Sequence, residues 1–193
     1  MLTADFPIDP VLVSPSPKIL HLGYNLSPEK MALKNERDRA LLKREVELDP
    51  KNVMAWVHLG NLFIRTKEWA KLLRSTSNLC LLAGQGEKRE CAPLMVTALI
   101  QRGIGYAMQE RWADAIKSYL DALMLEPGDL DALFDLAVCY SRAGKPALSA
   151  ETVRKYLAAE PAGATRMWRN LRRREDAERL LAEESAKTEG EKI

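Results

Sequence analysis

Two histidines and three cysteines are the only imidazoles and thiols among 193 residues. His21 and His58 stand alone, and Cys80, Cys91 and Cys139 lack the spacing of metal ligands. No nucleophile–base arrangement is visible, and Gly84-Gln85-Gly86 lacks the strand and the Lys-Ser/Thr of a phosphate loop. Catalysis by this chain alone is not expected, and no catalytic residue, metal ligand or cofactor is assigned. A net charge of +2 is too small to point to nucleic acid or a membrane surface. No apolar run reaches transmembrane length. Met1–Pro7 has neither a basic lead nor a long apolar stretch, so no secretory signal is read. Three scattered cysteines suit a reducing cytoplasm, with Cys80 and Cys139 read as packing residues inside helices.

What the chain does have is an internal repeat. Lys67-Glu68-Trp69-Ala70 and Glu110-Arg111-Trp112-Ala113 each open a helix, and each follows a Gly-x-x-aromatic signal, Gly60…Phe63 and Gly103…Tyr106. A third copy reads Ala137…Tyr140…Pro146. Gly103 to Ala137, Trp112 to Pro146 and Pro127 to Pro161 are each 34 residues. That period denotes stacked helix pairs. Small residues at Gly60, Gly103 and Ala137 are expected to let the second helix of each pair approach, with Ala115 and Ala122 doing so from the other side. Pro127 and Pro161 stop second helices, and Pro146 suits a first helical turn.

Gly60 to Gly103 is 43 residues, nine more than the period. The excess falls in the polar stretch 83–90, which reads as a longer loop with some extra helix leading into Cys91-Ala92-Pro93. Either a tolerated surface insertion or a partner contact accounts for it. Residues 1–28 hold Pro7, Pro10, Pro15, Pro17 and Pro28, half of the ten prolines, so they form an irregular segment with at most a short strand at Lys18–Leu22. The expected division is then a linking helix or degenerate repeat at 29–50, capped by Ser27 and ended by Asp49-Pro50. Copies follow at 53–86, 96–129 and 130–163, with the insertion at 87–95 and a capping helix and tail at 164–193. The last helix has Met167, Trp168, Leu171, Leu180 and Leu181 as its apolar side. Its basic run Arg172-Arg173-Arg174 is read as part of that cap. A nucleic-acid contact is the alternative, but Glu175, Asp176 and Glu178 interrupt the basic field.

In Leu99, Gly103, Tyr106, Trp112, Ala115, Tyr119, Ala122 and Pro127 the second copy resembles the tetratricopeptide repeat, departing at Arg102 where Leu is usual. The resemblance implies an all-α fold, a right-handed α-solenoid of helix hairpins. It also implies a concave face, lined by the first helix of each pair, that binds a protein or peptide. Carried onto this chain, that face comprises Met54, Val57, His58, Asn61, Ile64 and Arg65 in the first copy. The second contributes Thr97, Ile100, Gln101, Ile104, Ala107 and Met108, and the third Asp131, Phe134, Asp135, Val138, Ser141 and Arg142. The positions matching the family's basic carboxylate clamp are Val57, Asn61, Gln101, Asp131 and Asp135, so an acidic chaperone tail should be repelled. An apolar or amphipathic partner suits the face, unless the terminal helix or the N-terminal segment already covers it. Pairing with a second copy of the chain is compatible with this reading.

A second resemblance lies upstream. His21-Leu22-Gly23-Tyr24, the helix Lys34–Leu42 with its Leu-Leu pair, and Leu48-Asp49-Pro50 are similar to the junction between catalytic domain and repeats in bacterial family 2 glycosyltransferases. Leu22 replaces a commoner Tyr and Asp38 a commoner Asn. The resemblance implies that this chain is the tail of such an enzyme, and that His21 would lie by a metal and diphosphate if a catalytic domain were joined. Residues 1–28 carry only Asp5 and Asp9 as carboxylates, so in this chain by itself His21 reads as the end of a short strand. Three readings therefore stand: an interaction module, part of a transferase, and a free-standing adaptor.

Overall fold

The computed structural model describes residues 27–85, 88–159 and 167–190, excluding the side chains of 85, 88–91, 167–172, 189 and 190. The Pro-rich segment, the strand expected at Lys18–Leu22, His21, Pro161 and the Cys91 side chain lie outside that description. The chain divides at Lys34, and Asn35–Ile193 form one unit.

Among the described residues there are eight helices and no strand. They are α1 (Pro28–Leu48), α2 (Val53–Arg65), α3 (Trp69–Gln85), α4 (Lys88–Ala107), α5 (Trp112–Leu125), α6 (Leu130–Arg142), α7 (Pro146–Ala158) and α8 (Met167–Gly190). Local chemistry sets the boundaries. The Ser27 carbonyl accepts from Met31 N–H at 2.9 Å, with Pro28 in the first turn. Asn52 and Asp129 cap α2 and α6 by accepting from Ala55 and Ala132 N–H at 3.0 and 2.7 Å. Trp69 and Trp112 open α3 and α5, and Pro146 opens α7. The last helix continues into the expected tail, to Gly190.

Helices α2–α3, α4–α5 and α6–α7 form three antiparallel hairpins, each stacked on the next, and α8 packs on α7 while touching α6. The nine extra residues lengthen helices rather than a loop. Helices α3 and α4 have 17 and 20 residues, against 14 and 13 for α5 and α6. Helix α4 accommodates Pro93 internally.

Each first helix ends in the same way. Glu68 N–H donates to Phe63 O at 2.9 Å, Arg111 N–H to Tyr106 O at 3.0 Å, and Lys145 N–H to Tyr140 O at 2.9 Å. Lys67, Glu110 and Gly144 donate one step inside, to Ile64, Ala107 and Ser141, and these three residues have φ of 58°, 58° and 69°. These are three Schellman caps, and the carbonyls that close them belong to Phe63, Tyr106 and Tyr140, the aromatic residue three after the small Gly60, Gly103 and Ala137. Only the third copy uses glycine at the left-handed position. Lys67→Gly and Glu110→Gly should each therefore raise stability by about 0.5–1 kcal/mol, relief of the left-handed strain outweighing glycine's backbone entropy. Gly144→Ala should lower it by about 1 kcal/mol. Urea midpoints of the three variants check this.

The small residues do not all act alike. A Cβ on Gly103 would lie 2.6 Å from Tyr119 Cζ, so Gly103 does admit the second helix of its own pair. At Ala137, Ser149 Oγ on α7 donates to the carbonyl at 2.9 Å, both residues being buried. Gly60 differs. Its open side faces Gln101 of the next hairpin, whose Oε1 would lie 2.2 Å from a Cβ, and not helix α3. Gln101 is buried, and its Nε2 donates to Val57 O at 3.1 Å and Asn61 Oδ1 at 3.0 Å. Gly60 thus lets a side chain from α4 bind the backbone of α2 and join the first two hairpins. Arg102, at the position where Leu is usual, reaches α5 through Ser118 Oγ at 3.4 Å and Asp121 at 3.6 Å.

Candidate binding groove

The first helices α2, α4 and α6 share one face, and an open groove runs along it in two sections. One section, ≈ 340 Å³, is lined by Asn61 and Ile64 of α2, Pro93, Val96, Thr97, Ile100, Gln101 and Ile104 of α4, the α5–α6 turn with Glu126 and Asp129, Asp131 and Asp135 of α6, and Arg173 of α8. The adjoining section, ≈ 480 Å³, repeats Ile64, Ile104, Asp135 and Arg173 and adds Ala107, Met108, Trp112, Tyr119, Val138, Cys139 and Arg142. The shared residues make the two sections continuous. The floor is apolar because α4 presents Ile100 and Ile104 four residues apart on one helical face, with Met108 following in the turn after it.

The structure gathers most of the expected residues here. Asn61, Ile100, Gln101, Ile104, Met108, Asp131, Asp135 and Arg142 line the groove. Four do not. Val57 is 9% exposed and packs with Leu79 and Ala98 in the core. His58 is exposed but lines neither section. Arg65 turns to α1, donating to Asn35 Oδ1 at 2.8 Å and Asp38 Oδ2 at 3.2 Å. Phe134 faces α8 instead, in a cleft shared with Leu180, Glu183 and Lys187.

Helix α8 engages the third copy's part of the face. Arg173 meets Asp131 at 2.6 Å and Asp135 at 3.7 Å, and its guanidinium lies 5.2 Å from the Phe134 ring centre. Farther along, Ser141 Oγ donates to Glu184 Oε1 at 2.9 Å, and Glu184 is buried. Ala177, fully buried, and Leu180 and Leu181 pack against Leu133, Val153 and Tyr156. Sequence reasoning treated Arg173 as part of a basic run and overlooked Ala177. Glu126 and Asp129 were also missed, because they sit in a turn rather than on a helix face.

Helix α1 is tied to the first hairpin by charge. Arg39 grips Glu68 with two contacts, at 2.6 and 2.8 Å, while Thr66 Oγ1 donates to Glu68 at 2.6 Å and Lys71 pairs with it as well. Leu42 and Val46 pack against Leu59, Leu62, Phe63 and Leu72. The Arg39 hydrogen bond holds the Glu68 carboxyl well below its ordinary value of 4.5. A carboxylate whose folded pKa is depressed contributes stability above its unfolded pKa and loses it as pH falls toward the folded one. Stability should therefore drop below about pH 4.5, and Glu68→Gln should flatten that acid limb. Urea titrations of both proteins between about pH 6 and about pH 3 test it.

Burial pushes the Cys139 thiol up to about 12, and burial also raises Cys80, so neither is a thiolate nucleophile at neutral pH. Burial likewise raises the Tyr119 phenol. Among the described residues no three His, Cys, Asp or Glu side chains converge as a metal site. No described helix is long and apolar enough to cross a membrane.

Residues 106–175, from the cap of α4 into α8, match the tetratricopeptide repeat model. That part of the chain is similar to tetratricopeptide repeats. Solved structures of MamA share the fold at 19% identity. One overlaps 82% of this chain and 81% of its own length with a TM-score of 0.57. A second covers 78% and 86% at 0.54, and a third, MamA MSR-1 C2, covers 64% and 66% at 0.52. No curated protein matches the sequence. The described repeats form the right-handed α-solenoid of helix hairpins that the resemblance implied.

Proposed function

We propose that the chain is a non-catalytic scaffold that holds a protein or peptide segment in the groove along α2, α4 and α6. The observation that carries this reading is the continuity of the groove. Ile64 and Ile104 belong to both sections, so one extended ligand could lie against three repeats at once. The working division is repeats at 53–86, 96–129 and 130–163, with α8 as the cap of the last. Selection from a displayed library of short peptides tests the reading. Binders should lose affinity at least tenfold on the double variant Ile104→Ala/Met108→Ser, with its helical signal retained. Binders indifferent to that variant would place recognition elsewhere. An acidic chaperone-tail peptide should not bind, since Asp131 and Asp135 stand where the clamp needs bases. A saturable titration with such a peptide would contradict this. Cytoplasmic residence and the absence of nucleic-acid binding belong to the same reading.

The narrower reading is that the chain derives from the C-terminal region of a family 2 glycosyltransferase. It rests on His21-Leu22-Gly23-Tyr24 and on the Lys34–Leu42 helix, in which Asn35, Asp38 and Arg39 attach α1 to the first repeat. Here the scaffold would hold an acceptor protein or a second copy, and His21 would serve a metal only with a catalytic domain joined. The genomic sequence before the Met1 codon decides it. An in-frame nucleotide-sugar domain with Asp-x-Asp supports this origin, and a stop codon there removes it.

A further inference from the structure

The side of the repeats opposite the groove, formed by the second helices, carries another open cleft. It encloses ≈ 350 Å³ between α5 and α7, with Leu120, Leu123, Leu133, Leu136, Tyr140 and Leu148 along it and Glu151 and Lys155 on its α7 edge. Leu120 and Met124, one turn apart on α5, form a ridge beside it and are 41% and 81% exposed, so neither is used by the core. The repeat itself does not call for apolar residues here. The positions matching Leu120 in the other second helices are Ser77 and Arg154, and those matching Leu148 are Lys71 and Asp114.

Charge indicates what covers this face. Lys117 and Asp121 of α5 stand 34 residues before Glu151 and Lys155 of α7, one repeat period. Each pair therefore sits at the same level of neighbouring helices, with opposite signs at both levels. Within one chain the pairs do not meet. Leu123 packs toward the cluster of Leu133 and Val153, whereas Asp121 turns the other way, to Arg102 of α4 at 3.6 Å. Lys117, four residues earlier and on the same side as Asp121, is exposed and has no ion-pair partner among the described residues. We propose that this face pairs with the same face of a second copy of the chain, about a twofold axis parallel to α5. The α5 ridge of each copy lies in the α5–α7 cleft of the other, so Leu120 and Met124 are buried against Leu133, Leu136, Tyr140 and Leu148. That axis keeps every residue at its own level along the helices. Lys117 then faces Glu151 of the second copy and Asp121 faces its Lys155, and symmetry repeats both pairs. A ridge beside a cleft, flanked by charges of matching level and opposite sign, makes the face its own complement, as an isologous contact requires. Exposed ion pairs add little affinity, so the charges set the register and the apolar ridge sets the strength.

Sedimentation velocity of the full chain over a wide concentration series tests this. The chain should pass from monomer to dimer as its concentration rises. Met124→Lys, an exposed change to a good helix former, should weaken the dimer by about tenfold or more, with helical signal and unfolding midpoint retained. Lys117→Glu should weaken it several-fold. Lys117→Glu/Glu151→Lys should restore it, because the swap rebuilds the pair only between copies. A chain that stays monomeric at every concentration would overturn the proposal and leave the ridge to a different protein. A dimer indifferent to Met124→Lys would place the contact on another face and overturn it as well. Loss on Lys117→Glu with no recovery in the double variant would overturn the twofold arrangement. Peptide binding in the groove along α2, α4 and α6 should be the same for Met124→Lys as for the parent chain, so failure of this contact and failure of the groove reading are told apart.

Discussion

Gly103→Leu should cost the repeats about 1–3 kcal/mol or more. A Cβ at this position would lie 2.6, 2.7 and 3.0 Å from Tyr119 Cζ, Cε1 and Cδ1. Those atoms belong to a rigid ring and not to the end of a flexible chain. Tyr119 cannot retreat, because it is 1% exposed and shares its cluster with Leu99, Ala115, Ala122, Leu136 and Cys139. The added side chain must therefore separate α4 from α5, and with them the two hairpins on either side. Gly84→Ala is the matched control. Nothing lies within 4 Å of its Cβ position, and it sits inside α3, so it should be neutral or stabilising by up to about 1 kcal/mol. Thermal and urea unfolding of the pair measures both. An unchanged Gly103→Leu protein would mean that α4 and α5 do not meet as described.

Leu72→Ala should cost about 2–5 kcal/mol. Leu72 is fully buried on α3 among Leu59, Leu62 and Phe63, and its Cδ2 lies 3.2 Å from the Cβ position of Gly105 on α4. Truncation opens a cavity where the first hairpin meets the second, the one junction at which the 34-residue period fails. If the longer α3 and α4 keep that junction packed, the loss should appear as a lower midpoint of one cooperative transition. A loss of only a few tenths of a kcal/mol would indicate a loose first hairpin.

The features legible in the sequence were those fixed by steric or capping chemistry at a single position. Trp69, Trp112 and Pro146 open helices, Ser27-Pro28 starts α1, and Gly103 makes room for Tyr119. Features that depend on what a neighbouring element brings were not legible. Gly84-Gln85-Gly86 and the charged run after it resemble a loop, yet α3 and α4 absorb most of that stretch because they stay packed against one another. Gly60 looked equivalent to Gly103, but Gln101 reaches it from the next hairpin. Phase along α2 set Val57, His58 and Arg65 beside Asn61. Then Leu79 and Ala98 enclosed Val57, and the carboxylate and amide of α1 drew Arg65 away. At the other end, Arg173 approaches Asp131 and Asp135 across 42 and 38 residues of sequence, a separation over which no local pattern reports contact.

The most direct test of the binding account is isoleucine-methyl NMR of the full chain titrated with a library-selected peptide. Ile64, Ile100 and Ile104 line the groove, and Ile116 lies in the core beneath it. The account predicts saturable shifts of the three groove methyls at the peptide's own affinity, with Ile116 nearly still. Binding that leaves Ile64, Ile100 and Ile104 unmoved would contradict it.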